Sequence, residues 1–457
     1  MSELSVIILA AGKSTRMKSS RSKLLHEVGG KKVITRVCRA VAALEPTSVV
    51  AVCSFQASEV FHEVQQVTGN AVMVDQGQPR GTGHAVLKGL EGVSENAENI
   101  LVLAGDIPLI KSETLRALIN KHLDSSSDVS FITMMCAEPF GYGRVIRKGN
   151  VPVHIMEQAD LKTEFENIKE CNSGIYIFRR TFLQKYLESL NTDNAKGEFY
   201  LTDLIKKAAE ISVVQTTSAP ESEVTGVNTR AHFAYAEAQL LNEIVTAHMD
   251  NGVGFLFPDE VYIHDTVTIG QDSFIEKDVV LKGNTQIGNH VYIGQGAIIV
   301  DSVINDNVEI KPYSVIEASS VGMKSVVGPF ARLRPGNDVG TNCRIGNFVE
   351  MKKVTMDRGV KAGHLSYLGD ASIGEDSNIG AGTITCNYDG KNKFRTTLGK
   401  RVFVGSDSQL IAPVTVGDDT YIGTGTTVMD DAESSSLVIN PKTQKVVNPW
   451  KPPYLRT

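Results

Sequence analysis

The sequence predicts an α/β domain followed by an all-β domain, and three observations lead to this fold class. Short β-branched runs alternate with helical stretches in the first half of the 457 residues. An aliphatic residue recurs every six positions in the second half, and a stretch rich in Ala, Leu and Glu separates the two halves. We therefore expect a doubly wound, Rossmann-like α/β domain, a linker helix and a C-terminal parallel β-helix.

Three apolar runs in the first half predict strands that are buried on both faces of a parallel sheet. These runs lie at residues 5–9, 49–52 and 100–103. Residues 31–44 lie between the first two runs and carry apolar residues at helical spacing, which predicts a helix. Alternation of this kind is typical of βαβ units, in which consecutive strands run parallel.

The six-residue period of the second half begins at about residue 255. One series of aliphatic residues runs from Ile269 to Ile299, and the last runs from Leu398 to Val428. Six steps along an α-helix advance by about 240°, so no single helix face could bury such a series. One short strand per six residues, with a corner after each, instead gives a triangular coil whose aliphatic residues point inward.

Two further segments divide the chain. Residues 231–249 contain neither Gly nor Pro and predict the linker helix. Residues 384–397 are polar and charged, and an insertion in a solenoid projects as a loop, often from the binding face, although a merely tolerated loop is the alternative. We expect domains at residues 1–229 and 253–457, with the linker at residues 230–252.

Composition and charge exclude several classes of protein. The hydrophobic fraction of 42% is too high for a disordered chain, and a net charge of −6 argues against non-specific nucleic-acid binding. The six cysteines are far apart and form no C-x-x-C pair, which is typical of reduced thiols. No apolar run approaches a membrane span and no signal peptide is evident. We expect a cytoplasmic protein that binds neither nucleic acid nor membranes.

A turn of small residues, from Leu9 to Gly12, directly follows the first predicted strand. Backbone N–H groups converge at such a turn and bind phosphates, although an ordinary βα turn has the same pattern. The fragment G-K-S-T at residues 12–15 resembles the end of a P-loop motif. The motif is excluded because Ile7 stands where it requires its first glycine. Arg16 and Lys23 suit triphosphate oxygens, with a solvated face as the alternative.

Four other residues are candidates for chemistry. Asp106 ends an apolar strand, where a carboxylate either binds Mg²⁺ beside phosphates or caps a helix. In the second half, Arg334 and Lys352 lie on adjacent coils and form either a phosphate cradle or plain surface. His364 can accept a proton at neutral pH, although a lone His is more often structural.

The motifs together carry a resemblance to a known family. L-A-A-G-K-x-T-R-M, G-T-G-H-A, G-D-x-P-L, G-Y-G-R, N-S-G and G-V-N occur in this order, as in the sugar-1-phosphate nucleotidyltransferases. With its hexapeptide half, the chain resembles the bacterial bifunctional N-acetylglucosamine-1-phosphate uridylyltransferase / glucosamine-1-phosphate N-acetyltransferases over residues 4–440. The resemblance implies that the β-helix is left-handed.

For the first domain, the resemblance implies Mg²⁺-dependent uridylyl transfer from UTP to N-acetylglucosamine-1-phosphate. Arg16 and Lys23 match the catalytic cations, and Asp106 and Asn228 match the Mg²⁺ ligands. The positions that match the family's nucleotide-sugar site are Leu9, Ala10, Ala11, Gly12, Lys23, Gln76, Gly81, Thr82, Ala104, Gly105, Asp106, Gly143, Glu157, Asn172 and Asn228. In this set Gln76, Gly81 and Thr82 match the uracil contacts, and Gly143, Glu157 and Asn172 match the sugar contacts.

For the second domain, the resemblance implies acetyl transfer from acetyl-CoA to glucosamine-1-phosphate. His364 matches the base that takes a proton from the 2-amino group of the sugar. The acceptor-binding positions are Arg334, Lys352, Tyr367, Asn378 and Lys393, and the acetyl-CoA positions are Ala381, Asn387, Tyr388, Ser406 and Thr424. The family builds this groove between the subunits of a homotrimer.

Four positions depart from the family pattern. Ser14 replaces the second glycine of the turn, Ser22 stands where a proline usually precedes the lysine, and Ala104 stands where an aromatic residue is frequent. Pro441 stands where a coenzyme-contacting arginine is expected, with Lys442 next to it. The first three departures bear on sugar and base selectivity, and the last leaves one coenzyme contact unassigned.

Two other functions remain open at this stage. The chain could be a nucleotidyltransferase whose β-helix only oligomerises or regulates, but the set His364, Tyr367, Asn378 and Lys393 speaks against it. It could also be a binding or scaffold protein, for which the solenoid alone would suffice. The scaffold alternative predicts no Mg²⁺-dependent release of pyrophosphate.

Overall fold

The computed structural model describes residues 4–12 and 14–455. The chain divides into two compact units, Met1–Leu240 and Leu241–Thr457. Domain boundaries at 229/230 and 252/253, expected from the sequence, stay a prediction. Lys13, which belongs to the first glycine turn, lies outside the described residues.

The first unit is built on a mixed sheet with helices packed against it. The elements up to residue 250 are named β1–β11 and α1–α8, and the boundary between the two units falls within the last of these helices. The strands are β1 Leu4–Ala10, β2 Glu27–Val28, β3 Lys31–Lys32, β4 Ser48–Cys53, β5 Ala71–Asp75, β6 Asn99–Ala104, β7 Val129–Met135, β8 Arg144–Lys148, β9 Val151–Met156, β10 Glu170–Arg179 and β11 Val214–Ser218. The helices are α1 Val33–Ala42, α2 Ala57–Thr68, α3 Thr82–Gly89, α4 Ser112–Asp124, α5 Arg180–Tyr186, α6 Asp203–Ile211, α7 Glu221–Val224 and α8 Arg230–Asp250.

The order of strands explains where a site can form. The main sheet runs β11-β7-β10-β6-β1-β4-β5, with β1 parallel to both β4 and β6. Because β5 is in turn parallel to β4, the carboxyl ends of β1, β5 and β6 meet at one edge. β10 is antiparallel to β6, with Tyr176 opposite Val102, so the beginning of β10 reaches the same edge. The three strands predicted from apolar runs are confirmed, and their central residues are fully buried.

The two helices predicted from the sequence are present with small differences at their ends. Residues 31–44 were expected to be helical throughout, but Lys31–Lys32 forms β3 and the helix occupies Val33–Ala42. The linker helix spans Arg230–Asp250, close to the expected residues 231–249. Among the described helices, none is long and apolar enough to cross a membrane.

The second unit is a parallel β-helix with three faces. The first face stacks Gly254–Phe255, Phe274–Ile275, Tyr292–Ile293, Glu309–Ile310, Val326–Val327, Arg344–Asn347, Lys361–His364, Asn378–Ile379, Phe403–Val404, Tyr421–Ile422 and Leu437–Val438. The second face stacks Tyr262–Ile263, Val280–Lys282, Ile298–Val300, Val315–Glu317, Arg332–Leu333, Glu350–Met356, Tyr367–Ile373, Ile384–Cys386, Gln409–Ile411 and Thr427–Val428. The third face stacks Thr268–Ile269, Gln286–Ile287, Val303–Ile304, Ser320–Val321, Asp338–Val339, Thr396–Leu398 and Val414–Val416, together with the ends of Glu350–Met356 and Tyr367–Ile373.

The aliphatic residues of the six-residue period form the core of this unit, as predicted. Ile275, Ile293 and Val404 are fully buried and stack on their equivalents one coil away. Glycine is required where coils approach closely, because a Cβ on Gly346 would lie 1.7 Å from the Gly363 carbonyl oxygen. The α/β plus β-helix fold class is therefore confirmed.

The predicted insertion appears as a jump in the register of the first face. Lys361 pairs with Asn378, 17 residues later, whereas Asn378 pairs with Phe403, 25 residues later. The additional residues form a loop between the strands Ile384–Cys386 and Thr396–Leu398. Tyr388 and Lys393 bridge across the loop, which therefore has a defined hairpin-like shape.

Candidate active sites

The first candidate site lies at the sheet edge where β1 and β6 end. Leu9 pairs with Ala104 on the neighbouring strand, and the Gly105 N–H donates to the Leu9 carbonyl at 2.9 Å. Gly12 is exposed, and a Cβ there would meet no atom within 4 Å. The small-residue turn is therefore held against the loop that carries Asp106 and has open space around Gly12.

Four residues predicted to act on phosphates or metal come together at this edge. The Lys23 ammonium contacts the Asp106 carboxylate and the Asn228 Oδ1, the latter at 2.6 Å. The Arg16 Nη2 donates to the same Asn228 oxygen at 3.0 Å. The side chains of Lys23 and Asp106 are only 12% and 15% exposed. A backbone bond from Val227 N–H to the Asp106 carbonyl, at 2.8 Å, fixes the segment that carries Asn228.

The two serine departures near Lys23 have local roles in the structure. Ser14 has a φ of 55°, the left-handed conformation that favours glycine, which accounts for the glycine expected there. Its Oγ accepts a hydrogen bond from the Lys23 backbone N–H at 3.1 Å. Ser22 has a φ of −55°, which a proline would also adopt, and its own N–H donates to Gln56 Oε1 at 2.6 Å. Both serines therefore hold the backbone around Lys23.

The predicted uracil-contacting residues form a second turn at the end of β5. Gln76 is buried, and its Nε2 donates to the Gly81 carbonyl at 3.3 Å. Gly81 has a φ of 109°, and a Cβ there would lie 2.6 Å from the Phe199 carbonyl oxygen. The Leu201 N–H donates to Thr82 Oγ1 at 3.1 Å. The turn therefore depends on residues 199–201, a segment that sequence reasoning missed.

The predicted sugar-contacting residues form a third group at the start of β10. The Asn172 N–H donates to the Gly143 carbonyl at 2.9 Å, which places these two residues side by side. The Asn172 Nδ2 donates to the Tyr176 hydroxyl at 2.6 Å, and its Oδ1 accepts from the Gly174 N–H at 3.1 Å. Both ends of the Asn172 amide are therefore fixed.

Glu157 belongs to the same group through its electrostatics. Burial raises the pKa of its carboxyl, and a hydrogen bond from Thr202 Oγ1 to Glu157 Oε1, at 3.1 Å, opposes the rise. Tyr176 is buried, and both this burial and the nearby Glu157 charge raise the pKa of its phenol. Tyr176 and Thr202 are further residues of the site that the sequence did not reveal.

On the β-helix, three predicted acceptor-binding cations gather around one point. Arg334 and Lys352 occupy equivalent positions on adjacent coils, because Leu333 pairs with Met351. The ammonium of Lys393 and then the guanidinium of Arg334 lower the pKa of Lys352. Glu350 pairs with Arg334 at 2.9 Å, so this cluster keeps an excess of positive charge. The cations of such a cluster repel one another, and an anion that binds between them relieves this repulsion.

Tyr367 and Asn387 lie close to this cation cluster, and a glycine makes their approach possible. A Cβ on Gly369 would lie 2.6 Å from the Tyr367 hydroxyl and 2.8 Å from Asn387 Nδ2. The Asn387 Nδ2 also donates to Asp370 Oδ2 at 2.5 Å. Gly369 is in register with Lys352, which ties this group to the cations. Asn387, predicted for the coenzyme, therefore lies beside the predicted acceptor positions.

His364 belongs to a straight column of side chains on the first face. The register places in one column the residues Asn347, His364, Ala381, Ser406 and Thr424. Neighbouring coils lie about 4.8 Å apart, so the column extends roughly 15 Å from His364 to Thr424. His364 is exposed, and its Nδ1 lies 2.8 Å from Asn347 Oδ1. The predicted base and three predicted coenzyme positions therefore share one line.

The remaining predicted residues lie around this column. Asn378 is three positions before Ala381 on the same face, in register with Lys361 and Phe403. Tyr388 is exposed on the inserted loop, and its hydroxyl donates to the Gly390 carbonyl at 2.6 Å. Beyond Thr424, the Lys442 ammonium donates to the Gly425 carbonyl at 2.6 Å. The coenzyme contact expected near Pro441 stays unassigned.

The fold and the two sites define a class of protein, a nucleotidyltransferase-type α/β unit joined to a hexapeptide-repeat β-helix. Comparison with known families agrees with this class. A MobA-like NTP transferase domain matches residues 6–152, and a GMPPB C-terminal domain matches residues 257–338.

Comparison with individual proteins identifies the family. "Bifunctional protein GlmU" of Thermodesulfovibrio yellowstonii is 41% identical over 450 residues, with 98% of both chains covered. The proteins of the same name from Pseudoalteromonas atlantica and Koribacter versatilis are 41% and 40% identical, each over 98% of this chain and over 98% and 96% of their own. The chain belongs to the bifunctional GlmU family.

Proposed function

We propose that the chain acetylates glucosamine-1-phosphate with acetyl-CoA and then transfers uridylyl from UTP to the resulting N-acetylglucosamine-1-phosphate. Family membership supports both activities. The observation that carries the proposal is the presence of two separate charged sites, one in each unit. In the first site, the side chains of Lys23, Asp106 and Asn228 contact one another. The second site contains His364 and the cluster of three cations around Lys352.

Mg²⁺ fits the first site by the chemistry of its donors. The Asp106 carboxylate and the Asn228 amide oxygen both point at one cation, the Lys23 ammonium. Mg²⁺ prefers hard oxygen ligands, takes one or two from the protein and accepts the rest from water and phosphate. Asp106 and Asn228 would hold the ion, which when bound neutralises charge on the phosphates of UTP.

In uridylyl transfer, the residues of this chain bind and orient the substrates. The turn from Leu9 to Gly12 presents backbone N–H groups to the nucleotide, and Gln76 reads the uracil. A phosphate oxygen of the sugar phosphate attacks the α-phosphorus of UTP, and the bond to pyrophosphate breaks. Arg16 and Lys23 donate to the phosphate oxygens on which negative charge grows, so no covalent protein intermediate is needed.

In acetyl transfer, the cation cluster of Arg334, Lys352 and Lys393 holds the sugar phosphate. His364 takes a proton from the 2-amino group as the amine attacks the thioester carbonyl of acetyl-CoA. The C–S bond then breaks, and the departing sulfur receives the proton from His364, so the coenzyme leaves as its thiol. Ala381, Ser406 and Thr424 provide a narrow, uncharged track along which the coenzyme lies. Tyr367, Asn378, Asn387 and Tyr388 complete the contacts.

Self-association into a homotrimer is part of the proposal. An aromatic ladder of Tyr313, Phe330 and Phe348 runs along one corner, with ring centroids 5.3 and 5.4 Å apart. These rings are about half exposed, and Leu365, next to His364, continues the ladder. Burial of such a stripe against a second copy stabilises an assembly by the hydrophobic effect. Sedimentation equilibrium is expected to give three times the chain mass of 49.5 kDa.

Two assays run in parallel test the proposed function. Pyrophosphate is measured from UTP plus N-acetylglucosamine-1-phosphate, and free thiol from acetyl-CoA plus glucosamine-1-phosphate. We expect His364→Ala to lower thiol release by roughly 100- to 10,000-fold and to leave pyrophosphate release unchanged. Asp106→Ala is expected to have the opposite effect.

Matched variants keep these results specific. His290→Ala removes another exposed histidine of the β-helix, and Asp124→Ala removes an exposed carboxylate at the end of α4. Both are expected to retain both activities. Absence of thiol release from the unmodified protein would favour a β-helix that only oligomerises, and absence of both activities would favour a scaffold.

A further inference from the structure

Asn347 and His364 occupy equivalent positions on adjacent coils, and their side chains touch. Asn347 Oδ1 lies 2.8 Å from His364 Nδ1, within hydrogen-bond distance. The backbone fixes the pair, because the two residues are in register and the Leu365 N–H donates to the Asn347 carbonyl at 3.0 Å. Gly346 and Gly363 allow this close approach of the coils. The contact is therefore built into the coil geometry.

The chemistry of the contact determines where the imidazole proton lies. An amide oxygen can only accept, so the His364 Nδ1 must carry the proton that the hydrogen bond uses. The other ring nitrogen, Nε2, then keeps its lone pair. Had the amide presented its NH₂ group instead, Nδ1 would be the acceptor and Nε2 would hold the proton. Only the observed orientation leaves a basic nitrogen free of the Asn347 contact.

We propose that Asn347 is a positioning residue that holds His364 in its Nδ1–H tautomer, with Nε2 as the atom that accepts the proton from the substrate amine. This inference rests on the proposed function, since it assigns an atom to the base already named. In this proposal Asn347 contacts the imidazole of His364 and neither the amine nor the thioester.

A neutral amide suits this position better than a carboxylate. A carboxylate beside an imidazole stabilises the charged ring, and a charged ring cannot accept a proton. Ala381, which follows His364 in the column, is also uncharged, as are Ser406 and Thr424. The charged residues on the two strands of the pair are Arg344 and Lys361, each three positions before the column. The partner of His364 therefore orients the ring without adding charge.

The ring nitrogens can be observed directly. We expect the ¹⁵N spectrum of His364, assigned by its disappearance in His364→Gln, to show a protonated Nδ1 and an unprotonated Nε2 at pH 8. In Asn347→Leu, which fills similar space without an acceptor, we expect a mixture of the two tautomers. A protonated Nε2 in the unmodified protein would overturn the inference.

Kinetics provide the second test. Asn347→Leu is expected to lower kcat for thiol release by about 10- to 100-fold, the range seen when an outer hydrogen-bond partner of a functional His is lost. The KM for glucosamine-1-phosphate is expected to change by less than about twofold, because the proposal places Asn347 against the imidazole and not against the sugar. Asn347→Asp restores the acceptor and is expected to recover activity with its pH profile displaced to higher pH, because the carboxylate favours the charged ring.

Each outcome has a defined meaning. Unchanged kcat in Asn347→Leu, with His364→Ala inactive, overturns the tautomer inference and leaves the proposed function intact. Full activity in His364→Ala overturns the proposed role of His364 itself. The melting temperature of every variant reports that the β-helix is folded, and if Asn347→Leu fails to fold, the ¹⁵N spectrum of the unmodified protein still decides.

Discussion

The two candidate sites handle positive charge in opposite ways. In the α/β unit the Lys23 ammonium is already paired with Asp106 and Asn228, and its side chain is nearly buried. On the β-helix Lys352 is half-buried and faces Lys393 and Arg334, which lower its pKa. The first site is thus ordered by contacts within the protein, whereas the second keeps an excess of positive charge. This difference predicts different responses to loss of a cation.

Lys23→Met is the most damaging of the four changes that follow. It removes a cation from the phosphates, so pyrophosphate release is expected to fall by roughly 100-fold or more. It also leaves the partly buried Asp106 carboxylate without its partner, which is expected to lower the free energy of unfolding by about 1–3 kcal/mol. The two activity assays and thermal melting in the absence of substrate measure both effects. An unchanged melting temperature would contradict the view that the site is ordered by this pair.

Lys352→Met is expected to weaken binding without weakening the fold. Loss of one charged hydrogen bond to phosphate raises the KM for glucosamine-1-phosphate by about tenfold. Because the mutual repulsion of the cations is relieved, the melting temperature without substrate is expected to stay the same or rise. Lys324→Met, an exposed lysine elsewhere on the β-helix, serves as the control and is expected to alter neither quantity. A clear fall in stability for Lys352→Met would show that the cluster is neutralised within the protein.

The sequence predicted the parts of both sites that depend on backbone geometry and on period. The turn from Leu9 to Gly12 is set by the end of a buried strand, and the six-residue period fixes the coils, so these could be found without coordinates. Asn347 was missed although a signal existed, because it stands 17 residues, one coil, before His364. Counting back by one coil finds it once the solenoid is accepted.

Other site residues could not be found from the sequence in this way. Tyr176 meets Asn172 across an irregularity in the pairing of β10 with β7, and no pattern in the sequence indicates where a strand will shift its register. Thr202 and Phe199 come from a segment without a strand or helix pattern that folds back on the site. Such contacts depend on tertiary packing, which local propensity does not determine.

The raised pKa of Glu157 predicts a pH dependence that is confined to the α/β unit. As the pH falls through this raised pKa, the carboxyl takes up a proton, loses its charge and accepts hydrogen bonds from the sugar less strongly. The KM for N-acetylglucosamine-1-phosphate is therefore expected to rise severalfold at mildly acid pH. The KM for UTP, which Glu157 is not predicted to contact, is the internal control. A pH-independent KM would show that Glu157 does not bind the sugar in its charged form.

Linkage gives the sign of the matching effect on stability. The pKa of Glu157 is higher in the folded chain than in the unfolded chain. Its contribution to stability is therefore fully present at a pH below the unfolded-state pKa, and it is lost as the pH rises through the folded-state pKa. Glu157→Gln removes the ionisable group, so it is expected to melt at a higher temperature than the unmodified chain at neutral pH and to bind the sugar less well. A lower melting temperature would indicate that the Thr202 hydrogen bond outweighs burial.

The smallest expected effect tests whether contacts within the protein order the sugar end of the first site. Tyr176→Phe keeps the ring and its packing but removes the hydroxyl that accepts from Asn172 Nδ2. With one end of the amide released, the KM for N-acetylglucosamine-1-phosphate is expected to rise about two- to fivefold, while the KM for UTP stays unchanged, because Asn172 is predicted to contact only the sugar. Tyr186→Phe removes a hydroxyl on α5, outside the predicted sugar-contacting group, and is expected to change neither KM. If Tyr176→Phe left the KM for the sugar unchanged, the orientation of Asn172 would depend on Gly174 alone, and the ordering seen at Lys23 would not extend to the sugar.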